Sequence, residues 1–311
     1  MKNIGGVFIN ISVIIPNYNR KNLLLRAINS ALNQTFKPIE VIIIDDASNF
    51  DLKKYLFHHF NNENRIKIKV NDKNIGAAAS RNIGVNISKG DYIAFLDSDD
   101  YWDPQKLEKQ VEILKKNKNL ELIYCDQWIV SNEIHSESGK KLINKELWKE
   151  LILNNWTGPN TSTLLINKKL FEKLKGFDER LTSCQDHDLW MRLAKIEVKL
   201  DYVPDKLSYF TREANNRISL DYNKRIKGTL MFLKKWKIEI VNSYGISKFR
   251  DFKDNYIFKV TFPILKHAFK QKKYVLAIKI LLKFLLFNYC FHRKVLNKAF
   301  SSLKQSNNFI N

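Results

Sequence analysis

Three carboxylates crowd into four residues of this 311-residue chain: Asp97, Asp99 and Asp100. They end the stretch Tyr-Ile-Ala-Phe-Leu-Asp-Ser-Asp-Asp-Tyr-Trp at 92–102. The apolar run before them has the length and composition of a buried strand. The carboxyl end of such a strand is where an open α/β sheet presents ligand-binding groups. Acids this close repel one another, and a divalent cation among them relieves the repulsion. Hard oxygen donors suit Mg²⁺ or Mn²⁺, ions that usually come with substrate phosphates. The other reading is a helix start, because Asp103-Pro104 opens the next helix and acids are favoured there. That accounts for Asp103 and leaves Asp97, at the end of an apolar strand, without a reason.

The elements that must position these residues alternate in type. Residues 11–15 read as a buried strand stopped by Pro16-Asn17. Leu23, Leu24, Ala27, Ile28, Ala31 and Leu32 follow at helical spacing. A second strand at 41–44 ends in Asp45-Asp46, and a third spans 66–70. The run 76–87 suits a helix, 92–96 a fourth strand, 104–115 a helix and 122–125 a fifth strand. This predicts an α/β fold, a Rossmann-like, mostly parallel sheet flanked by helices. Polar signals collect after strands one, two and four, where such sheets bind nucleotides. From about residue 130 the alternation weakens: 162–166 reads as a strand, 169–174 and 188–195 as helices, and the chain beyond 220 as mostly helical.

Five pieces, in order, resemble the inverting, nucleotide-sugar-dependent family 2 glycosyltransferases of GT-A type. They are Ile-Ser-Val-Ile-Ile-Pro-Asn-Tyr-Asn-Arg at 11–20, Val-Ile-Ile-Ile-Asp-Asp-Ala-Ser at 41–48, Asn-Ile-Gly-Ala-Ala-Ala-Ser-Arg-Asn at 74–82 and Gly-Asp-Tyr-Ile-Ala-Phe-Leu-Asp-Ser-Asp-Asp at 90–100. The fifth is Gly-Phe-Asp-Glu-Arg-Leu at 176–181 with Gln-Asp-His-Asp-Leu-Trp-Met-Arg-Leu at 185–193. The resemblance implies a GT-A-type catalytic domain at 1–220, with a nucleotide-binding half at 10–103 and an acceptor half at 104–220. A basic helical region is expected at 221–311.

Each piece also has a physical reading. Pro16, Asn17, Tyr18 and Arg20 lie at a strand end, where backbone N–H groups and the Tyr18 ring suit a base. Of Asp45 and Asp46, one is expected to bind base or ribose and the other to close a turn with Ser48; the resemblance favours Asp46 for the base. Small residues at the start of 76–82 allow close approach to a phosphate, with Arg81 either reaching a diphosphate oxygen or lying on the surface. By resemblance, Asp97 meets the ribose or the metal, Ser98 belongs to the nucleotide site, Asp99 holds the metal and Asp100 adds a second contact. Asp186 matches the family's general base. Gln185 stands before it where relatives often carry Glu, which removes a like charge that would raise the base's pKa. Asp188 is the fallback base or an acceptor contact, or else simply an acid in a helix's first turn. Trp156, Trp190 and Tyr209 are candidate platforms for sugar rings, with Trp156 preferred and Trp190 expected in the core. Arg212 and Arg217 are weaker candidates for the diphosphate.

Lys and Arg outnumber Asp and Glu by 53 to 32, a formal charge of +21. An anionic partner follows. After Asp254 no acid occurs at all. Residues 274–291 are strongly apolar but interrupted by Lys279 and Lys283, which fall with Lys272 on one narrow helical face. Such a helix either packs on its own domain or lies in a membrane interface. The basic residues gather in a Leu- and Phe-rich tail and lack the aromatic-basic strand patterns of single-strand binders, which argues against nucleic acid. Three scattered cysteines and the lack of a secretory signal suggest a reducing compartment. The expectation is a cytoplasmic enzyme, peripheral on the inner membrane face. It would move a sugar from a nucleotide donor, UDP-linked in the first instance, to a glycan or lipid-linked acceptor with Mn²⁺ or Mg²⁺. The competing expectation is a catalytically inactive basic protein that binds nucleic acid or an anionic membrane. A dehydrogenase is disfavoured because Gly-x-Gly-x-x-Gly is absent after strand one.

Overall fold

β1 (Ile11–Asn17) is buried along its whole length. That is why its sequence is a run of branched apolar residues, without the alternation of a half-exposed strand. Helix α1 (Asn22–Leu32) leads to β2 (Glu40–Asp45), α2 (Leu52–Phe60) to β3 (Ile66–Val70), and α3 (Ala77–Ile87) to β4 (Tyr92–Phe95). β1 pairs in parallel with β2 and β4, and β2 with β3. The register sets Asn17 opposite Asp45. The parallel ends therefore bring three of the five sequence pieces to one edge of the sheet. α3 lies close on this sheet because its inner face is small. A Cβ on Gly84 would stand 2.4 Å from Ile14 Cγ2 and 3.3 Å from Ile44 Cγ1.

The computed structural model describes residues 9–131, 134–138, 146–154, 158–211, 222–270, 275 and 278. Beyond β4 come β5 (Tyr101–Trp102), α4 (Lys106–Lys116), β6 (Leu122–Ser131), β7 (Ile134–Ser138) and α5 (Leu147–Leu153). A 3₁₀ turn (Thr161–Thr163), β8 (Leu165–Asn167), α6 (Lys168–Lys173), α7 (Gln185–Lys195) and β9 (Leu200–Thr211) follow. The strand order is β3-β2-β1-β4-β8-β6-β9-β5, with β7 on β6. The sheet is continuously parallel from β3 to β4. β8 runs antiparallel to both β4 and β6, β6 is parallel to β9, and β5 and β7 are antiparallel additions. The longest ladders are parallel, as expected of a Rossmann-like sheet, and the antiparallel strands make the whole sheet mixed. An apolar run such as 122–125 is buried in either orientation and does not reveal its neighbour. The expected strand at 162–166 begins only at Leu165. Asn160 caps the preceding turn, its side chain accepting from the Ser162 N–H at 2.9 Å.

The chain divides into two compact units, one of Met1–Leu151, Thr157–Arg180 and Gln185–Asn215, the other of Ile152–Trp156, Leu181–Cys184 and Asn216–Asn311. The second is dominated by α8 (Tyr222–Lys270), broken at Gly245, whose φ of 81° and ψ of 166° are not helical. Phe232 and Tyr256 stack across the break at 4.9 Å, with Phe252 beside them. The first part of the acid-free tail is core of this unit: Tyr256, Ile257, Val260, Ile264 and Ala268 are buried. Of 274–291, only Val275 and Ile278 are described, both exposed; the proposed lysine-striped helix otherwise lies outside the described residues. Among those described, no helix is long and apolar enough to cross a membrane.

The α3–β1 contact yields a test. Alanine is the better helix former, yet Gly84→Ala must push Ile14 aside, and overpacking of this kind typically costs about 1–3 kcal/mol. Urea unfolding should show a lower midpoint with an unchanged slope.

Candidate active site

The turn that follows β4 is held from several sides. Asp100 is fully buried, and its two oxygens accept from Ser162 Oγ at 2.7 Å and from the Thr211 N–H at 3.0 Å. Burial first, then the charges of Asp99 and Asp97, pushes its carboxyl well above the usual carboxylate range. The Asp97 N–H donates to the same Ser162 Oγ at 3.1 Å, and Trp102 Nε1 to the Ser162 carbonyl at 2.7 Å. Arg26, on α1, donates through Nη2 to the Asp99 carbonyl at 2.6 Å and to Thr211 Oγ1 at 2.9 Å. Its guanidinium lies 4.4 Å from the Tyr101 ring centre, and Tyr101 stacks on Tyr209 at 4.4 Å.

With Asp100 committed to the scaffold, Asp97 and Asp99 are the carboxylates left to meet a ligand. Each is met by an arginine. Arg20 Nη1 lies 3.1 Å from Asp99 Oδ1 and 3.1 Å from Ser98 Oγ. Arg81 Nη2, on α3, holds Asp97 Oδ1. Arg81 is therefore a nearly buried residue and not a surface arginine; its Nε is buried with no hydrogen-bond partner. The Phe177 ring lies beneath it at 5.4 Å.

Asp45 and Asp46 divide their work. Asp45 accepts from Asn17 Nδ2 at 3.0 Å and from Ser48 Oγ at 2.6 Å, which is the turn role expected of one of the pair. Asp46 accepts from Asn71 Nδ2 at 3.0 Å and from the N–H groups of Ile75 and Gly76, each at 2.8 Å. It thereby shapes the approach to α3, where Gly76 takes a φ of 92°. Asn17 Oδ1 is a buried acceptor without a hydrogen-bond partner. A polar atom in that condition is costly to leave so, and a ligand donor would satisfy it. Pro16 is buried within β1, and Tyr18 beyond it is 47% exposed.

Direct bonds thus join Asn17 to Asp45, Arg20 to Ser98 and Asp99, and Arg81 to Asp97. α7 carries the other pair. Asp186, in its first turn, is partly exposed and 3.9 Å from His187 Nε2. Asp188 is wholly buried and receives Arg192 Nε at 2.9 Å. Of the readings the sequence left open for Asp188, this placement fits the acid of a first helical turn. Trp190 is core, its Nε1 donating to the Pro159 carbonyl at 3.1 Å, and its ring allows no Cβ at Gly158. Trp156, Arg212 and Arg217 lie outside the described residues.

Sequence reasoning missed Ser162, Arg26 and Asn82. Asn82 clasps the Phe177 backbone from both sides, accepting at 2.8 Å and donating at 2.9 Å, and so ties the piece at 74–82 to that at 176–181. Its place beside Arg81 in the motif was the available signal.

Among the described residues no cluster of three His, Cys, Asp or Glu is arranged to hold a metal ion. The donor set nonetheless fits one: Mg²⁺-type ions commonly take one or two carboxylates and complete their shell with phosphate and water, and Asp97 and Asp99 supply two.

The family model for Glycosyl transferase family 2 matches residues 12–174, and the chain belongs to that family. It is 29% identical over 239 residues to an uncharacterised glycosyltransferase of Methanocaldococcus jannaschii, covering 73% of this chain and 79% of that one. It is 32% identical to the Escherichia coli UDP-Glc:alpha-D-GlcNAc-diphosphoundecaprenol beta-1,3-glucosyltransferase WfgD, over 60% of this chain and 70% of the enzyme. The crystal structure of S. aureus TarS 1-349 in complex with UDP-GlcNAc superposes with a TM-score of 0.56 at 16% identity, over 90% and 93% of the two chains. That likeness establishes a shared fold.

Behind the acidic turn, Lys106 is fully buried. Its Nζ donates to Gln110 Oε1 at 2.9 Å and lies 4.1 Å from the Trp102 ring centre. Burial lowers its pKa to about 8 from 10.5. Between those values the unfolded chain binds the proton and the folded one does not, so stability rises with pH across the window. The gain is bounded at roughly 3 kcal/mol. Urea midpoints at pH 7.5 and 9.5 should rise for the wild type and lose most of that rise in Lys106→Met.

Proposed function

We propose that this chain is a metal-dependent inverting glycosyltransferase. It transfers a hexosyl or N-acetylhexosaminyl group from a UDP-sugar to a hydroxyl of a glycan or lipid-linked acceptor in cell-surface polysaccharide synthesis. The observation that carries the reading is the turn 97–100, at the carboxyl edge of three parallel strands, with Asp97 and Asp99 backed by Arg81 and Arg20. Support for the donor and acceptor comes from the named reaction of the E. coli relative and from the UDP-GlcNAc complex of TarS.

In this reading Tyr18, Asn17 and Asp46 form the base and ribose end, with the orphaned Asn17 oxygen accepting from the nucleoside. Arg20, Ser98 and Arg81 bind the diphosphate. Asp97 and Asp99 would hold Mn²⁺ or Mg²⁺, whose chemistry is to neutralise charge on the departing diphosphate. The partly exposed Asp186 carboxylate takes the proton of the acceptor hydroxyl. That oxygen bonds to the anomeric carbon on the face opposite the diphosphate, the carbon–oxygen bond to the diphosphate breaks, and the configuration inverts. Attachment to the inner face of the cytoplasmic membrane is part of the reading. It is supported by α8, where twelve Lys and Arg face only Glu239, Asp251 and Asp254.

A thermal-shift screen of nucleotides and nucleotide sugars, with and without Mn²⁺, tests the reading. UDP with Mn²⁺ at about 100 times its Kd should add about 2.7 kcal/mol of stability. Asp99→Asn should abolish the Mn²⁺-dependent part of that shift. If neither uridine nor any other nucleotide shifts the wild type, the donor assignment is wrong.

Asp186→Asn separates chemistry from binding. It should leave UDP-sugar affinity near wild type and lower turnover by about 10²-fold or more, as loss of a general base does. Transfer at a wild-type rate would assign the base elsewhere.

A further inference from the structure

We propose that Arg20 and Arg81 are exchange partners of the cation. They hold the carboxylates of Asp99 and Asp97 in the free protein, and they pass to the diphosphate when ion and nucleotide bind together. The inference rests on the metal-dependent reading above and goes beyond it in assigning the arginines two successive partners.

The arginines and the ion call on the same two carboxylates. Asp99 Oδ1 receives Arg20 Nη1 at 3.1 Å, and Asp97 Oδ1 receives Arg81 Nη2. A dication seated on those carboxylates would face a guanidinium at close range in a partly buried site: Asp99 is 6% exposed and Arg81 7%, and the side chains of Arg20 and Asp97 keep 19% and 26%. Like charges so placed repel strongly. The ion alone would therefore have to displace both guanidinium groups from their carboxylates, and removing one partner of a charge-assisted bond costs more than the bond is worth. A diphosphate removes that cost, since guanidinium matches phosphate oxygens as well as it matches carboxylate. Arg20 already reaches Ser98 as well as Asp99, so it sits between two acceptors of the turn. Arg81 keeps a buried Nε without a hydrogen-bond partner, a donor in reserve. Ion and nucleotide must then help each other, and by linkage to the same extent in both directions.

Direct contact between a metal and a phosphate also produces mutual help, so the test has to move the arginine. Mn²⁺ binding is read from the signal of the free ion in electron paramagnetic resonance, with and without saturating UDP. Wild type, Arg20→Gln and Lys21→Gln are compared. Lys21 is the neighbouring cation and lies over the Phe50 ring at 4.7 Å, which makes it a control for charge at a distance. Exchange requires that Arg20→Gln bind Mn²⁺ alone about tenfold tighter, and that the factor by which UDP tightens Mn²⁺ fall about tenfold, the scale of a lost charge-assisted hydrogen bond. Lys21→Gln should behave as wild type. Arg81→Gln, on α3, should shift both quantities in the same direction and serves if Arg20→Gln does not fold. Unchanged Mn²⁺ affinity and coupling in a folded arginine variant overturns the exchange, as does a Lys21→Gln variant that matches Arg20→Gln. If the wild type couples Mn²⁺ to UDP and the arginine variants do not differ, the exchange alone is lost. If the wild type binds no Mn²⁺ even with UDP, the metal-dependent reading falls with it.

Discussion

The buried carboxyl of Asp100 is the fixed point of the first unit. It has no solvent exposure, yet both oxygens are met, by Ser162 Oγ and by the Thr211 N–H. A carboxyl taken out of water is tolerable only when its oxygens are satisfied in this way. The consequence is geometric. The turn after β4 is tied at once to the 3₁₀ turn before β8 and to the last residue of β9. Asp97 and Asp99 are thereby excused from holding the turn and keep their side chains for charged partners.

This explains why the sheet changes direction after β4. A fully parallel continuation would need a long crossover before the next strand returned to β4. The three-residue β8 instead runs antiparallel beside β4 and brings Thr161–Thr163 directly against the acidic turn. Gln110 then anchors that segment from behind, its Nε2 donating to the Thr163 carbonyl at 2.9 Å while its Oε1 receives Lys106. The parallel half supplies strand ends for a ligand; the mixed half fixes the turn those ends surround.

The parallel half was legible in the sequence because β1, β2 and β4 are largely buried and read as apolar runs, while β3 alternates Ile and Lys as a half-exposed edge strand does. β9 was not. Its burial alternates irregularly, and Asp201, Pro204, Asp205 and Lys206 interrupt it. The pairing with β6 also shifts register between Cys125 and Gln127. The site divides in the same way. Asp97, Asp99 and Arg81 stood in motifs with an evident chemical use. Ser162 and Arg26 act on the backbone and on Asp100, and a lone serine or helix arginine announces no such contact. Asp188 stayed open for a related reason: an acid in a first helical turn looks alike in sequence whether it faces solvent or is buried on Arg192.

The charge of the chain and the charge of the site are separate matters. Around the turn, acids and guanidinium groups nearly balance: Asp97 with Arg81, Asp99 with Arg20, and Arg26 on the Asp99 carbonyl. The excess that makes the whole chain +21 lies elsewhere, above all in α8 and the acid-free residues after Asp254. A balanced site does not draw an anionic ligand by long-range field. Its affinity must come from contacts made at short range, where screening by salt is weakest. The distributed excess does act at a distance, and it acts on extended anionic surfaces more than on one small ligand. The basic total is therefore no argument for nucleic acid at the carboxylate turn, because the residues that produce it are not the residues that form the site.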